Sequence, residues 1–154
     1  MVGNMSKNTC MQTIVQIRKL SRFLDKYSKH LDKQYHVTLP QMLCLYEITS
    51  KSSMNLTELT KSVNLNNSAL TGIVDRLESK GFVKRVKKDA DRRTIYLEAT
   101  EEGISYTGQL MKQMEEDCFF DKNKLTPADL QNILNTLDII INSLDPDIKK
   151  IELE

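Results

Sequence analysis

NNSALTGIVDRLESKG, residues 66–81, reads as one amphipathic helix with a bare outer side. Leu70, Ile73, Val74 and Leu77 recur at i, i+3, i+4 and i+7, an apolar stripe with helical period. At 100° per residue the opposite face carries Ser68, Gly72, Asp75 and Ser79, with Thr71 and Arg76 on its flanks. Those side chains are mostly short and hydrogen-bonding, so another surface can come close. Asn66 or Asn67 is suited to cap the start, and Gly81 to end the helix as a C′ residue. Gly72 costs roughly 1 kcal/mol against alanine in a helix interior, and close contact with a partner is one reason to keep it.

Working outward, LTELTKSV (Leu56–Val63) is a short amphipathic helix with Leu56, Leu59 and Val63 on one side. Asn64, Leu65 and Asn66 make the turn between the two, which is helix-turn-helix spacing. In that arrangement the second helix enters a DNA major groove. FVKRVKKDADRRTIYLEAT follows: a strand over about Phe82–Lys87, a charged tip over Lys88–Asp91, and a strand over about Arg93–Ala99. Thr94, Tyr96 and Glu98 alternate with Ile95, Leu97 and Ala99, predicting one buried face. A helix-turn-helix followed by a β-hairpin is a winged helix. The fold class expected is mainly α, with a small β-hairpin wing and long helices at both ends.

These residues resemble the MarR family of bacterial transcription regulators. The resemblance rests on the helix Leu56–Val63, the run VDRLESKGFVKR (Val74–Arg85), the wing triplet Asp91-Arg92-Arg93 and the sequel TEEG (Thr100–Gly103). The motifs cover about a third of the chain, and the helical pattern on either side agrees with the family across nearly all of it.

Composition bounds the rest. The chain has 154 residues, enough for one domain with a sizeable core. No apolar run approaches the roughly 20 residues needed to span a bilayer, and MVGNMSKNTCMQ has no signal-peptide pattern, so the expected location is cytoplasmic. The net charge is +1, but it is polarised. Residues 51–100 carry ten Lys/Arg against six Asp/Glu, whereas residues 101–154 carry five against twelve. Lys80, Lys84, Arg85, Lys87, Lys88, Arg92 and Arg93 crowd one short stretch against Asp89 and Asp91. A near-neutral protein with a basic wing suits a polyanion met on one face.

The outer helices are the second informative feature. Ile14, Ile17, Leu20, Leu24, Tyr27 and Leu31 predict a helix from Cys10 to about Leu31, after a polar start over residues 1–9 and before a connection over Gln34–Thr38. Pro40 then sits at the start of a second helix, Gln41–Ser50, with Met42, Leu45 and Tyr46 on one stripe and Ile48 at its edge. The polar loop Lys51–Asn55 has room for a short third strand. Thr100 caps a helix that runs to about Phe119 or Phe120 through Ile104, Tyr106, Leu110, Met114 and Cys118. Thr126, Pro127 and Asp129 open the last helix, which carries Leu130, Ile133, Leu134, Leu137, Ile140, Ile141 and Leu144 and stops at Asp145-Pro146. Such a stripe, fully buried, contributes on the order of 10 kcal/mol before entropy, so it needs a surface to cover it. The resemblance implies that residues 10–34 and 101–145 interlock as a two-fold dimerisation region around a DNA-binding region, 39–100. A homodimer then predicts a near-palindromic double-stranded operator.

Site residues follow. Asn67, Ser68, Ala69, Thr71 and Gly72 are expected at base edges: Asn pairs with adenine, Ser and Thr are permissive, and methyl groups meet thymine methyls. Arg76, Lys84, Lys87 and Lys88 are expected at phosphates. Arg92 and Arg93 resemble the family's wing arginines, one entering the minor groove and the other braced by Asp91. The resemblance also implies a small anionic aromatic effector in a cleft that Arg18, Tyr27 and His36 would line. Some family members sense peroxide through a cysteine early in the first helix, where Cys10 lies, although its neighbours here are Thr9 and Met11. Cys44 and Cys118 read as buried small apolar groups. No metal is expected, since His30 and His36 are not an i, i+4 pair and no Cys-x-x-Cys exists. No cofactor is expected either, and no catalytic constellation is present. A ligand-released repressor is the leading reading; a redox-responsive regulator or a protein-docking winged helix are the alternatives.

Overall fold

The computed structural model describes residues 7–88, 91–116, 121 and 123–144; the side chains of 7, 8, 91, 92 and 116 are outside it. In chain order the elements are α1 (Lys7–Tyr35), α2 (Leu39–Ser50), β1 (Met54–Asn55), α3 (Leu56–Val63), α4 (Asn67–Ser79), β2 (Val83–Lys88), β3 (Asp91–Ala99), α5 (Glu101–Glu116) and α6 (Pro127–Asn142). The expected class holds: helices with a small antiparallel sheet, ordered β1-β3-β2. Met54 and Asn55 do supply the short third strand, opposite Leu97 and Tyr96.

Local chemistry explains the boundaries. Three helices open with reciprocal capping boxes: Thr38 with Gln41 for α2, Asn55 with Glu58 for α3, and Thr126 with Asp129 for α6. Asn64, at φ 52°, stops α3 in the left-handed region that asparagine tolerates. Asn66 caps α4, its Oδ1 accepting from Ala69 N at 2.8 Å. At the other end Gly81 N donates to Glu78 O at 2.9 Å and Phe82 N to Leu77 O at 3.0 Å, with Gly81 at φ +76°. That is a Schellman stop, and it aims the chain straight into β2.

The main core lies between α2, α3, α4 and the sheet. Leu45, Ile48, Leu59, Leu70, Leu77 and Leu97 are all fully buried there. A second cluster, Leu31, Val37, Met42 and Leu110, joins the end of α1 to α2 and α5. Tyr106 reinforces that joint by donating its hydroxyl to Tyr35 O, and its ring stacks on Phe82 at 4.4 Å.

Several expectations need correction. The first helix begins earlier and ends later than Cys10–Leu31, because Gln34 and Tyr35 continue it to the left-handed His36. The second helix starts at Leu39, because Thr38 is its cap. Ile48 is buried, whereas Tyr46, placed on the core stripe, is 47% exposed. Ile95 and Ile104 are also exposed, so the buried face of β3 is carried by Leu97 and Ala99. The last helix ends at Asn142 with Ser143 as its cap, before Asp145. Residues 1–6, Asp89, Cys118, Phe119, Phe120, Asp145 and Pro146 lie outside the described residues. No described helix is long and apolar enough to cross a membrane.

Among the described residues, the apolar stripe of α6 and the part of the α1 stripe before Tyr27 stay largely uncovered. No residue of α6 is buried, and Leu134 and Ile139 are 56% and 66% exposed. Met11, Ile14, Ile17 and Leu20 on α1 are exposed as well.

Candidate nucleic-acid interface

α4 is held by its inner side alone. Leu70, Val74 and Leu77 are fully buried, and every other residue from Asn67 to Thr71 is exposed, with Gly72, Asp75 and Arg76. The expected base-reading residues Asn67, Ser68, Ala69, Thr71 and Gly72 therefore share one open surface at the helix start. A Cβ built on Gly72 meets nothing within 4 Å, so packing inside the chain does not demand glycine there. Thr60 Oγ1 stands 3.0 Å from Asn67 Oδ1, which braces that amide against α3. Ser68 donates to Asn66 Oδ1 at 3.1 Å and Thr71 to Asn67 O at 2.9 Å, so both hydroxyls are anchored to the helix while exposed.

The hairpin presents its cations differently from one another. Lys84 pairs across the strands with Glu98 at 3.5 Å, which satisfies part of its charge internally. Lys87 and Lys88 are exposed at the far end, and a register shift falls between them. The Lys88 ammonium sits 4.4 Å from the centroid of the Tyr96 ring, a cation–π contact that holds it in place. Arg93 is exposed on β3. The backbones of Asp91 and Arg92 belong to β3, but their side chains, and so the expected bracing of an arginine by Asp91, lie outside the described residues.

One feature escapes sequence reasoning. Arg85, counted only as part of the basic surplus, turns back onto α4. Its Nη2 lies 2.6 Å from Asp75 Oδ1, and its Nη1 donates to Glu78 Oε2. The hydrogen bond to Asp75, followed by the opposing desolvation and by the charge of Glu78, leaves its pKa raised. The available signal was Asp75 and Glu78 at i, i+3, one turn of one helix, with an arginine on the next strand.

The expected effector residues do not converge. Arg18 is exposed on α1, Tyr27 is half-buried nine residues on, and His36 is exposed nine residues beyond that. At 1.5 Å rise per residue, Arg18 and His36 are about 27 Å apart along the axis, too far for one small ligand. Tyr27 stacks loosely on His30, with centroids 6.4 Å apart, and His36 O accepts from Lys80 Nζ. An open groove of about 370 Å³ does exist, on α6, lined by Leu125, Asp129, Asn132, Ile133, Thr136 and Leu137. None of the three expected residues lines it. Cys10 is half-exposed on α1 and Cys44 is buried.

Comparison with known proteins agrees with this geometry. Residues 37–95 match the model of the MarR family. The HTH-type transcriptional regulator SarZ of Staphylococcus haemolyticus is 27% identical over 120 residues, covering 78% of this chain and 80% of that protein. Among solved structures, a MarR mutant from E. coli complexed with operator DNA superposes with a TM-score of 0.67 at 23% identity, covering 89% of this chain and 97% of that one. Reduced AbfR bound to DNA superposes with a TM-score of 0.75 at 19% identity, covering 90% and 96%.

Proposed function

We propose that this chain, whose residues 37–95 match the MarR family, is a winged helix-turn-helix transcriptional regulator of that family and works as a homodimer on a near-palindromic operator. Members of that family are regulators of transcription and not enzymes. The observation that carries the reading is α4: an inner face fully buried, an outer face exposed, small and open at Gly72, beside a basic hairpin. In this reading Asn67, Ser68, Ala69, Thr71 and Gly72 meet base edges in the major groove. Arg76, Lys84, Lys87 and Lys88 meet phosphates, and Arg92 or Arg93 enters the minor groove. Residues 39–100 form the DNA-binding region, and the segments 10–34 and 101–145 form the dimerisation region. The exposed stripes of α1 and α6 support that division, since two such faces cover each other in a second copy.

Repression follows if the operator overlaps a promoter, and a small anionic aromatic effector then releases it. Arg18, Tyr27 and His36 can serve that effector only singly or through the partner copy, given their spacing along α1. The test is selection of duplexes from a random library by the purified protein, with the stoichiometry of the complex measured by sedimentation. Recovery of a two-fold motif bound by two chains is expected; no enrichment, or a one-to-one complex, overturns the reading.

A second reading concerns Cys10. Of the two described cysteines only Cys10 is accessible, and it lies on α1, a helix assigned here to the dimerisation region. Oxidation there would act through the subunit contact. Operator affinity measured before and after peroxide, in the wild type and in Cys10→Ser, separates the two: a loss confined to the wild type supports redox control, and equal behaviour excludes it.

A further inference from the structure

Arg85 belongs to the basic stretch, yet it faces carboxylates. Its guanidinium reaches Asp75 at 2.6 Å and also Glu78, from the strand that begins the wing. A planar guanidinium presents its N–H groups in a fixed fork, so it bridges two carboxylates one helical turn apart with less loss of side-chain freedom than an ammonium. Asp75 is 58% exposed and shares the outer face of α4 with Ser68 and Gly72. A bare carboxylate on that face would repel a phosphate backbone. The contact also ties α4 to β2 at a second point, beyond the turn at Gly81.

Resting on the DNA-binding reading above, we propose that Arg85 is a positioning residue for operator recognition. It sets the angle between α4 and the wing, cancels the two acidic groups on α4, and makes no phosphate contact of its own. Lys84, Lys87 and Lys88, on the same strand, differ from it in having no carboxylate of α4 as partner.

The two roles leave different signatures. A cation at a phosphate releases counterions, so removing it lowers the slope of log K against log salt by about one unit, equally on any duplex. A positioning residue changes discrimination, and any fall in slope that comes from the uncovered carboxylates disappears once Asp75 and Glu78 are neutralised as well. Exposed ion pairs contribute little to stability, so the variants should fold, which thermal unfolding checks.

The experiment measures binding over a salt series to a duplex selected by the wild type and to an unrelated duplex. The proteins are wild type, Arg85→Met, Arg85→Lys, and Arg85→Met combined with Asp75→Asn and Glu78→Gln. Arg85→Met should bind the selected duplex at least about tenfold more weakly and prefer it less over the unrelated duplex, and Arg85→Lys should recover part of the loss. The triple variant should regain affinity for the unrelated duplex, where only the repulsion is relieved, while its preference for the selected duplex stays reduced. A slope lower by about one unit with preference intact would make Arg85 a phosphate contact and overturn the proposal, as would unchanged binding. Failure of the wild type to bind either duplex overturns the DNA-binding reading itself, and this inference with it.

Discussion

The α-carbon of Gly103 presses on the carbonyl of Phe82: a Cβ built on Gly103 would collide with that oxygen and stand 2.9 Å from the carbonyl carbon. The obstacle is backbone, and it is pinned, because Phe82 O accepts from Thr100 N at 3.0 Å. Gly103 thus lets the start of α5 lie against the start of β2. Gly103→Ala should lower unfolding stability by about 1–3 kcal/mol, the usual range for overpacking. Urea denaturation measures it, and an unaltered midpoint would show that the two elements can part without cost.

Gly72 is the opposite case. With open space around it, Gly72→Ala should stabilise α4 by up to about 1 kcal/mol. Operator affinity should nonetheless fall, because the added methyl projects from the face assigned to the groove. A variant with a higher melting temperature and weaker binding supports the assignment. One that is more stable and binds equally well removes Gly72 from the contact.

The winged helix is legible in sequence because its signals are local. Asn55 with Glu58, Asn64, Asn66 and Gly81 each mark a boundary within a few residues of the groups they satisfy. The stripe Leu70, Val74 and Leu77 has a single face to bury. Apart from Ile95 on β3, the misjudged apolar residues belong to helices with more than one apolar face. On α2, Tyr46 continues the period of Met42 and Leu45 but points outward, while Cys44 and Ile48 go in. Ile104 likewise begins an outward face of α5, because Gly103 and Thr107 take the inner one. The contact between Arg85 and Asp75 is not legible either, since periodicity places residues on faces but does not say which cation meets which anion across a turn. Nor does it reveal that Arg18, in the middle of a single long helix, and His36, just past its end, are two residues of one expected cleft that stand far apart.

The wing lysines should separate in a salt titration. Lys88 is preset by Tyr96 and has no carboxylate against it among the described residues, whereas Lys84 is paired with Glu98. Lys88→Ala should lower the slope of log K against log salt by about one unit, and Lys84→Ala by less. Arg93→Ala should weaken operator binding by about 10–100-fold without dissociating the protein's subunits. Equal slopes for Lys84→Ala and Lys88→Ala would show that the Glu98 pair opens in the complex.

The cysteines should differ in reactivity and in their effect on stability with pH. Burial raises the Cys44 thiol from 9.0 to about 12. Since the folded state holds this proton more tightly than the unfolded chain, its contribution is fully present below pH 9 and is lost as pH rises towards 12. Unfolding midpoints should therefore fall over that window, and less steeply in Cys44→Ala. At pH 8, peptide-mapped alkylation should mark Cys10 at once and Cys44 only on unfolding. Rapid labelling of native Cys44 would contradict its burial.

The outer helices carry the remaining prediction. Leu134, Leu137, Ile141 and Leu144 recur at i, i+3, i+7 and i+10, a heptad seam; all four are exposed, the first three on α6 and Leu144 just past its end. Among the described residues nothing buries them, and Met11, Ile14, Ile17 and Leu20 on α1 are exposed too. A charge in the middle of that seam would have to be desolvated for two copies to meet. Leu137→Asp should therefore leave the winged-helix core intact, because Leu45, Ile48 and Leu70 lie far along the chain in a separate cluster. On the homodimer proposed above, it should sediment as a single subunit and the wild type as two. Its operator affinity should drop by about two orders of magnitude or more, since the second half-site then loses the high local concentration that linkage provides. A variant that stays paired, or a lone subunit that still binds the full operator as tightly, would place the subunit contact elsewhere or make it irrelevant to recognition.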